Sequence, residues 1–224
     1  MRVALFSDVH ANATALRTVL DSVAGDDPDA VACAGDVVGY GPAPSECVDL
    51  VREAADVVVA GNHDRTVETP DRYARHPTAG PGLQHAADEL DDERRRWLRE
   101  LPARATVDGG SVRVVHSHPD PAKRGRYVYP DEFDALARRS DADVLVLGHT
   151  HVQGAETADG TLVVNPGSVG QPRDGDPKAA YAVVDTDDRS VDLRRVAYDV
   201  EAVRDAVEDA GLPERTWRRL LSGE

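Results

Sequence analysis

Eight residues of metal-ligand type punctuate this chain: Asp8 and His10, Asp36, Asn62 and His63, His116, and His149 and His151. They stand at or just beyond the ends of short apolar runs. The doublets Asp8-x-His10 and His149-x-His151 would put two side chains on one side of an extended segment, because side-chain direction alternates along a strand. Gly35, Gly61 and Gly148 precede Asp36, Asn62 and His149 and would let the backbone turn sharply where strand becomes loop. A mixture of carboxylate, imidazole and amide oxygen suits borderline-to-hard divalent ions, Mn²⁺ first, with Fe²⁺, Zn²⁺ and Ni²⁺ as alternatives. A carboxylate can bridge two such ions, and a pair ~3.5–4 Å apart is a recurring device for hydrolysing phosphate esters. A bridging hydroxide attacks phosphorus while both ions offset charge on the phosphoryl oxygens.

Taken singly, each position has a structural explanation. A His at a strand end more often bonds the backbone, and Gly-Asp is commonly a turn. Jointly they do not, because two buried aspartates gathered without a cation are strongly unfavourable.

The elements that must position these groups follow from periodicity. Arg2–Ser7, Ala30–Ala34 and Asp56–Ala60 read as buried strands, with helices at Asn12–Ala24 and Ser45–Ala54 between them. Ligand sites collect at the carboxyl ends of strands in such strand–helix–strand sheets. Thr66–Gly82 reads as a long surface loop and Gln84–Leu101 as one charged helix with Leu90, Trp97, Leu98 and Leu101 inward. Val112–Val115, a short helix Glu132–Arg138 and Val144–Leu147 follow. Four strands, Ala155–Ala158, Leu162–Asn165, Ala180–Asp185 and Val191–Ala197, precede helices at Val200–Ala210 and Glu214–Leu221. There is no internal repeat and no convincing linker, so residues 1–224 read as one domain, with C-terminal helices over 200–222.

The chain has 224 residues, 41% hydrophobic and 30% charged, within the range of a folded protein. Asp and Glu number 41 against 26 Lys and Arg, and only Lys123 and Lys178 are lysine. A net charge of −15 disfavours stable binding to nucleic acid or to an anionic membrane. Acidity with almost no lysine resembles proteins of salt-adapted organisms, where screening shortens the range of self-repulsion. Cys33 and Cys47 cannot make a disulfide framework. No apolar run is long enough to span a membrane, and charge enters at Asp8, too early for a signal peptide. These features predict a cytoplasmic protein.

The ordered set Asp8-x-His10, Gly35-Asp36, Gly61-Asn62-His63-Asp64, His116 and Gly148-His149-x-His151 resembles the calcineurin-like metallophosphoesterase superfamily, from Arg2 to about Asp185. Gly35–Gly41 and Asn165–Asp174 are similar to its small, single-domain, phosphodiesterase-like prokaryotic branch. The resemblance implies a four-layer α/β/β/α sandwich of two mixed β-sheets flanked by helices. It also implies one metal on Asp8, His10, Asp36 and His151, a second on Asp36, Asn62, His116 and His149, and Asp36 as the bridge. His63 would be the catalytic group, either general acid or hydrogen-bond donor, and Asp64 would orient the loop or a ligand.

The departures matter as well. Protein phosphatases of the superfamily carry Gly-Asp-x-x-Asp-Arg-Gly, where this chain has Gly39 and Tyr40, so the carboxylate that orients His63 and the arginine that grips phosphate are absent. Ser117-His118-Pro119 replaces a common Gly-Ser-Pro, and His118 either adds a polar group near the metals or points away. Arg173 either holds a phosphate oxygen or pairs with Asp174 or Asp176. Asn165 and Ser168 would shape the loop beneath the site, Trp97 would be core, and His76 and His85 would lie at the surface. The resulting expectation is a dinuclear phosphoesterase acting on small-molecule esters, diesters favoured. The alternatives are a phosphomonoesterase or protein-phosphatase-like enzyme, and a non-catalytic scaffold of the same fold. The oligomeric state is open, a homodimer included.

Overall fold

The computed structural model describes residues 1–224. Ten strands form two sheets: β1 Arg2–Phe6, β2 Ala30–Cys33, β3 Val57–Val58, β4 Arg104–Val107, β5 Val112–Val115, β6 Val144–Val146, β7 Gly154–Ala158, β8 Thr161–Asn165, β9 Ala179–Asp185 and β10 Ser190–Val196. The helices are α1 Ala13–Asp26, α2 Pro44–Ala54, α3 Asn62–Thr66, α4 Ala79–Glu89, α5 Asp92–Glu100, α6 Phe133–Ala137, α7 Val200–Asp209 and α8 Arg215–Arg218. One sheet runs β10-β9-β1-β2-β3, the other β4-β5-β6-β8-β7. Each is mixed: β1, β2 and β3 are parallel, as are β5, β6 and β8, and the outer partners are antiparallel.

Alternation along the strands builds the layers. Val3 and Leu5 of β1 face the second sheet, where they join Val112, Val114, Val144, Val146 and Val164. Ala4 and Phe6 face the other way, onto Leu16 and Val19 of α1 and Val48 and Val51 of α2. On the far side of the second sheet Leu145 and Val163 pack on Phe133 and Ala137 of α6. The result is the expected helix–sheet–sheet–helix sandwich. The carboxyl ends of its parallel strands lead into the loops that carry Asp8, Asp36, His116 and His149 and into α3, which begins at Asn62. Cys33 and Cys47 are both free and buried.

Several sequence expectations need correction. The helix foreseen over 84–101 is two helices, α4 and α5, separated at Leu90, whose backbone is extended. Asp91 accepts a hydrogen bond from Arg94 N and starts α5, an N-cap signal that was legible in Leu-Asp-Asp-Glu. Leu90, Leu98 and Leu101 are nevertheless buried, and Trp97 packs against the core, as expected. The loop foreseen over 66–82 is shorter, with a 3₁₀ turn at Pro70–Tyr73 and the start of α4 at Ala79. The Pro-Gly spacing there sits in the first turn of α4, where proline is tolerated. His76 caps that turn, its Nδ1 accepting from Ala79 N at 3.0 Å. Strand β4, with the alternating exposed sequence Arg-Ala-Thr-Val, carries too little apolar signal to have been foreseen.

Candidate metal centre

The two ligand doublets are brought together, though not by strand alternation. Asp8, His10, Asp36, His149 and His151 all have positive φ, between 50° and 70°, so the segments 8–10 and 149–151 are not extended. Left-handed backbone is costly for non-glycine residues and persists only where surroundings impose it. The surroundings are visible here: Asp8 N donates to Gly35 O at 2.9 Å, and His10 N donates to Asp36 O at 3.0 Å. Ser168 Oγ donates to Asp8 O at 2.7 Å. Asn165 Nδ2 donates to Gly148 O at 2.8 Å, so Asn165 and Ser168 shape the floor as expected. Of the three flanking glycines only Gly35 has positive φ. Gly61 is required by close approach, because a Cβ there would lie 2.0 Å from Asp36 Oδ1.

Four imidazoles are each fixed by a backbone carbonyl. His10 Nδ1 lies 3.2 Å from Val38 O, His151 Nδ1 2.6 Å from Gln171 O, and His116 Nδ1 2.8 Å from Ala34 O. His149 is held the other way round, with Nε2 3.1 Å from Gly125 O. A carbonyl only accepts, so each of these nitrogens carries the hydrogen, and the opposite nitrogen of each ring is the one that can turn a lone pair toward a cation.

Those lone pairs converge on two places. His10 Nε2 and His151 Nε2 are 3.0 Å apart, with Asp8 Oδ1 3.3 Å from His151 Nε2 and Asp36 Oδ2 3.7 Å from His10 Nε2. His116 Nε2 lies 3.3 Å from Asp36 Oδ2 and 3.1 Å from Asn62 Oδ1. Asn62 Nδ2 is used on Tyr73 OH at 3.1 Å, which turns the amide oxygen inward. Asp8–His10–His151 and Asp36–His116–His149 are each compact enough to hold one ion, and Asp36 reaches both. Acceptors facing acceptors at these distances fit divalent cations.

The charge state agrees. Burial holds His10 and His151 well below the usual imidazole range and lowers His149 to about 4. Burial also disfavours charge on His116, but the Asp36 and Asp8 carboxylates outweigh it and raise that ring to about 10. Burial pushes Asp8 up to about 7, with His116 opposing and Asp36 assisting. Free of metal, the centre therefore meets its excess negative charge with protons.

His63 is 3% exposed and stands beside this set, its backbone N donating to Asp36 Oδ1 at 2.8 Å. Its Nδ1 is buried without a partner. Gly39 lies directly against it, since a Cβ at that glycine would be 2.3 Å from His63 Nδ1. The orienting carboxylate is thus absent in space as in sequence. Tyr40 at 4.7 Å and Tyr73 at 5.3 Å, both tilted 35° to the imidazole, hold the ring instead. Burial lowers His63 to about 4, so it is neutral at pH 7.

Asp64 has the orienting role foreseen for it. Its carboxylate accepts from Asp36 N and Val37 N at 2.8 Å, Gly61 N at 2.9 Å and Val38 N at 3.2 Å, tying the β2 loop to α3. Arg173 does not pair with Asp174 or Asp176; Asp174 is taken by Arg195. Arg173 Nη2 donates to Gln171 Oε1 at 2.6 Å and to Tyr40 OH at 3.3 Å, so a guanidinium from another loop contacts the residue that stands at the motif arginine's sequence position. His118 Nδ1 accepts from Asp120 N, and the ring lines a cleft of about 490 Å³. This cleft opens from Asn62 and His116, and Arg65, Arg72, Arg104 and Arg124 line it without any acid. His85 Nε2 lies on Pro42 O, and the residue is half-buried. Sequence reasoning missed Tyr73 and Tyr127. The second stacks on His149 at 4.2 Å, and lone tyrosines in irregular segments carry no periodic signal.

Residues 1–189 match the calcineurin-like phosphoesterase superfamily domain. The uncharacterized protein MJ0912 of Methanocaldococcus jannaschii is 31% identical over 99% of this chain and 98% of its own length. Phosphodiesterase YfcE of Escherichia coli is 28% identical over 85% of this chain and 91% of its own. A crystal structure of a metallophosphoesterase from Sphaerobacter thermophilus has 34% identity and a TM-score of 0.84, covering 100% of this chain and 99% of that one.

Two outcomes are expected. Asp64→Asn turns an acceptor of four N–H groups into one that presents its own N–H to them, costing about 3 kcal/mol and lowering Tm by roughly 6–12 °C in calorimetry. Loading the metal-free protein with Mn²⁺ displaces protons from His116 and Asp8, so an indicator dye in weak buffer reports proton release and affinity rises from about pH 6 to about pH 8. A pH-independent affinity without proton release contradicts this account of the donor set.

Proposed function

This chain belongs to the calcineurin-like phosphoesterase superfamily, and we propose that it is a dinuclear phosphoesterase acting on small phosphate esters, diesters preferred. The observation that carries the reading is the position of Asp36 Oδ2 between His10 Nε2 and His116 Nε2, at 3.7 and 3.3 Å. On this reading Asp8, His10, His151 and Asp36 hold one divalent ion, and Asp36, Asn62, His116 and His149 hold the other, Mn²⁺ being the natural first choice. When bound, the ions supply an activated nucleophile at neutral pH and offset charge on the phosphoryl oxygens.

The remaining work falls to the chain. Backbone carbonyls fix the imidazoles so that the donor atoms are in place before substrate arrives. His63, neutral and gripped by Tyr40 and Tyr73, has Nδ1 closed off by Gly39, which leaves Nε2 to donate a hydrogen bond to the leaving or phosphoryl oxygen. A proton-transfer role as a charged acid is disfavoured by its lowered pKa. The arginines of the large cleft draw an anionic ester toward Asn62 and His116. The diester preference rests on the missing motif arginine and on the relative whose name is phosphodiesterase. A monoester reading is favoured by Arg173, which brings a guanidinium back over Tyr40, 5.7 Å from the ring. The full ligand set argues against a scaffold role.

With Mn²⁺, kcat/KM is expected to be higher for bis(p-nitrophenyl) phosphate than for p-nitrophenyl phosphate. A monoester turned over much faster reverses the preference. His63→Ala is expected to lower kcat by about 10²–10³-fold while elemental analysis still finds two ions per chain. Loss of an ion with the ring would make His63 a ligand instead.

A further inference from the structure

A second cavity, of about 230 Å³, lies on the other flank of the centre. Arg173, Arg215 and Arg219 line it with His76, Tyr40 and Tyr127, and no Asp or Glu reaches it in a chain of 41 acids. Of the nearby carboxylates, Asp174 pairs with Arg195 and Glu214 with Arg218, while Glu224 acts on Arg219 from outside the cavity lining. Arg173 bonds only the neutral Gln171 and Tyr40, and Arg219 Nε donates to the backbone oxygen of Glu224. Three guanidinium groups line one cavity with only Glu224 acting on one of them, so positive charge remains in excess, and a bound anion offsets their mutual repulsion. Burial first, then the charge of Arg173 and, less, of Arg215, lower Arg219 to about 10, with Tyr40 and Glu224 opposing. His76 spends Nδ1 as the α4 cap, so its neutral ring keeps a hydrogen on Nε2.

The cavity contains none of the eight residues of the metal centre, yet it is one side chain away from it. Its wall Tyr40 lies 4.7 Å from the His63 ring, and its wall Tyr127 lies 4.2 Å from the His149 ring. An anion held here is therefore not the one at the centre. Arg215 and Arg219 also come from the segment beyond residue 189, which the superfamily domain does not include.

The geometry points to a second anion subsite: Arg173, Arg215 and Arg219 receive a non-reacting phosphate of the substrate, so the preferred substrates are esters that carry two phosphoryl groups. This rests on the phosphoesterase reading for its catalytic consequence and on the cavity alone for binding.

The test uses the full chain with Mn²⁺ and two chromogenic esters, thymidine 5′-(p-nitrophenyl phosphate) with and without a 3′-phosphate. The 3′-phosphorylated ester is expected to have the higher kcat/KM. The ratio of the two is expected to fall about tenfold in R215Q/R219Q, chiefly through KM. In parallel, calorimetry of the metal-free protein with inorganic phosphate is expected to show binding that weakens by a similar factor in that variant. Arg215 is exposed, so R215Q alone serves if the double variant melts early. An unchanged ratio, or a ratio lost in R72Q/R124Q of the other cleft but kept in R215Q/R219Q, overturns the proposal. If the wild type cleaves neither ester, the phosphoesterase reading fails, and the Arg dependence of phosphate binding decides the subsite by itself.

Discussion

Lone pairs do not tolerate one another without a positive charge between them, and this protein gathers them in a buried place. Asp8, Asp36 and Asn62 contribute oxygens, and four imidazoles contribute nitrogens, all within a few ångströms. Each ring is denied the easy escape of rotating or exchanging tautomers, because a backbone carbonyl holds its other nitrogen. The carbonyls belong to three loops far apart in sequence: Ala34 and Val38 in the loop after β2, Gly125, and Gln171. The donor set is therefore pinned by the tertiary fold and not by any local motif.

The backbone carries part of the same load. Asp8, His10, Ala11, Asp36, Tyr40, His149 and His151 share the left-handed region, an uncommon concentration around one spot. Such conformations persist when neighbours over-determine them. Here the neighbours are the carboxylate of Asp64, the hydroxyl of Ser168 and the amide of Asn165, each buried and each bonded to backbone. Two sheets packed through small residues such as Val3, Ala32, Val114 and Val146 give these loops a stiff base.

Most of the sandwich was legible because buried parallel strands are short apolar runs, and β5 at Val112–Val115 was bounded to the residue. The candidate site residues stand out in the sequence for a related reason: they are polar groups ending apolar runs. Their geometry was not legible. Alternation along a strand was the wrong mechanism for Asp8 and His10, since left-handed φ values depend on contacts that only the folded chain makes. The break between α4 and α5 was written in Asp91 but hidden by the continuity of charge across it. The positions of Arg173 and of His76 depend on loop packing, which single-sequence periodicity does not encode.

The last stretch of chain has a small apolar nucleus of its own, where Val203, Val207, Leu212 and Leu220 close on one another. It is also the stretch that delivers Arg215 and Arg219 to the flank of the centre. If the proposed subsite holds, the tail adds two guanidinium groups to the Arg173 already supplied by residues 1–189. Changes beyond residue 189 would then alter which molecule is preferred while leaving the candidate metal ligands untouched.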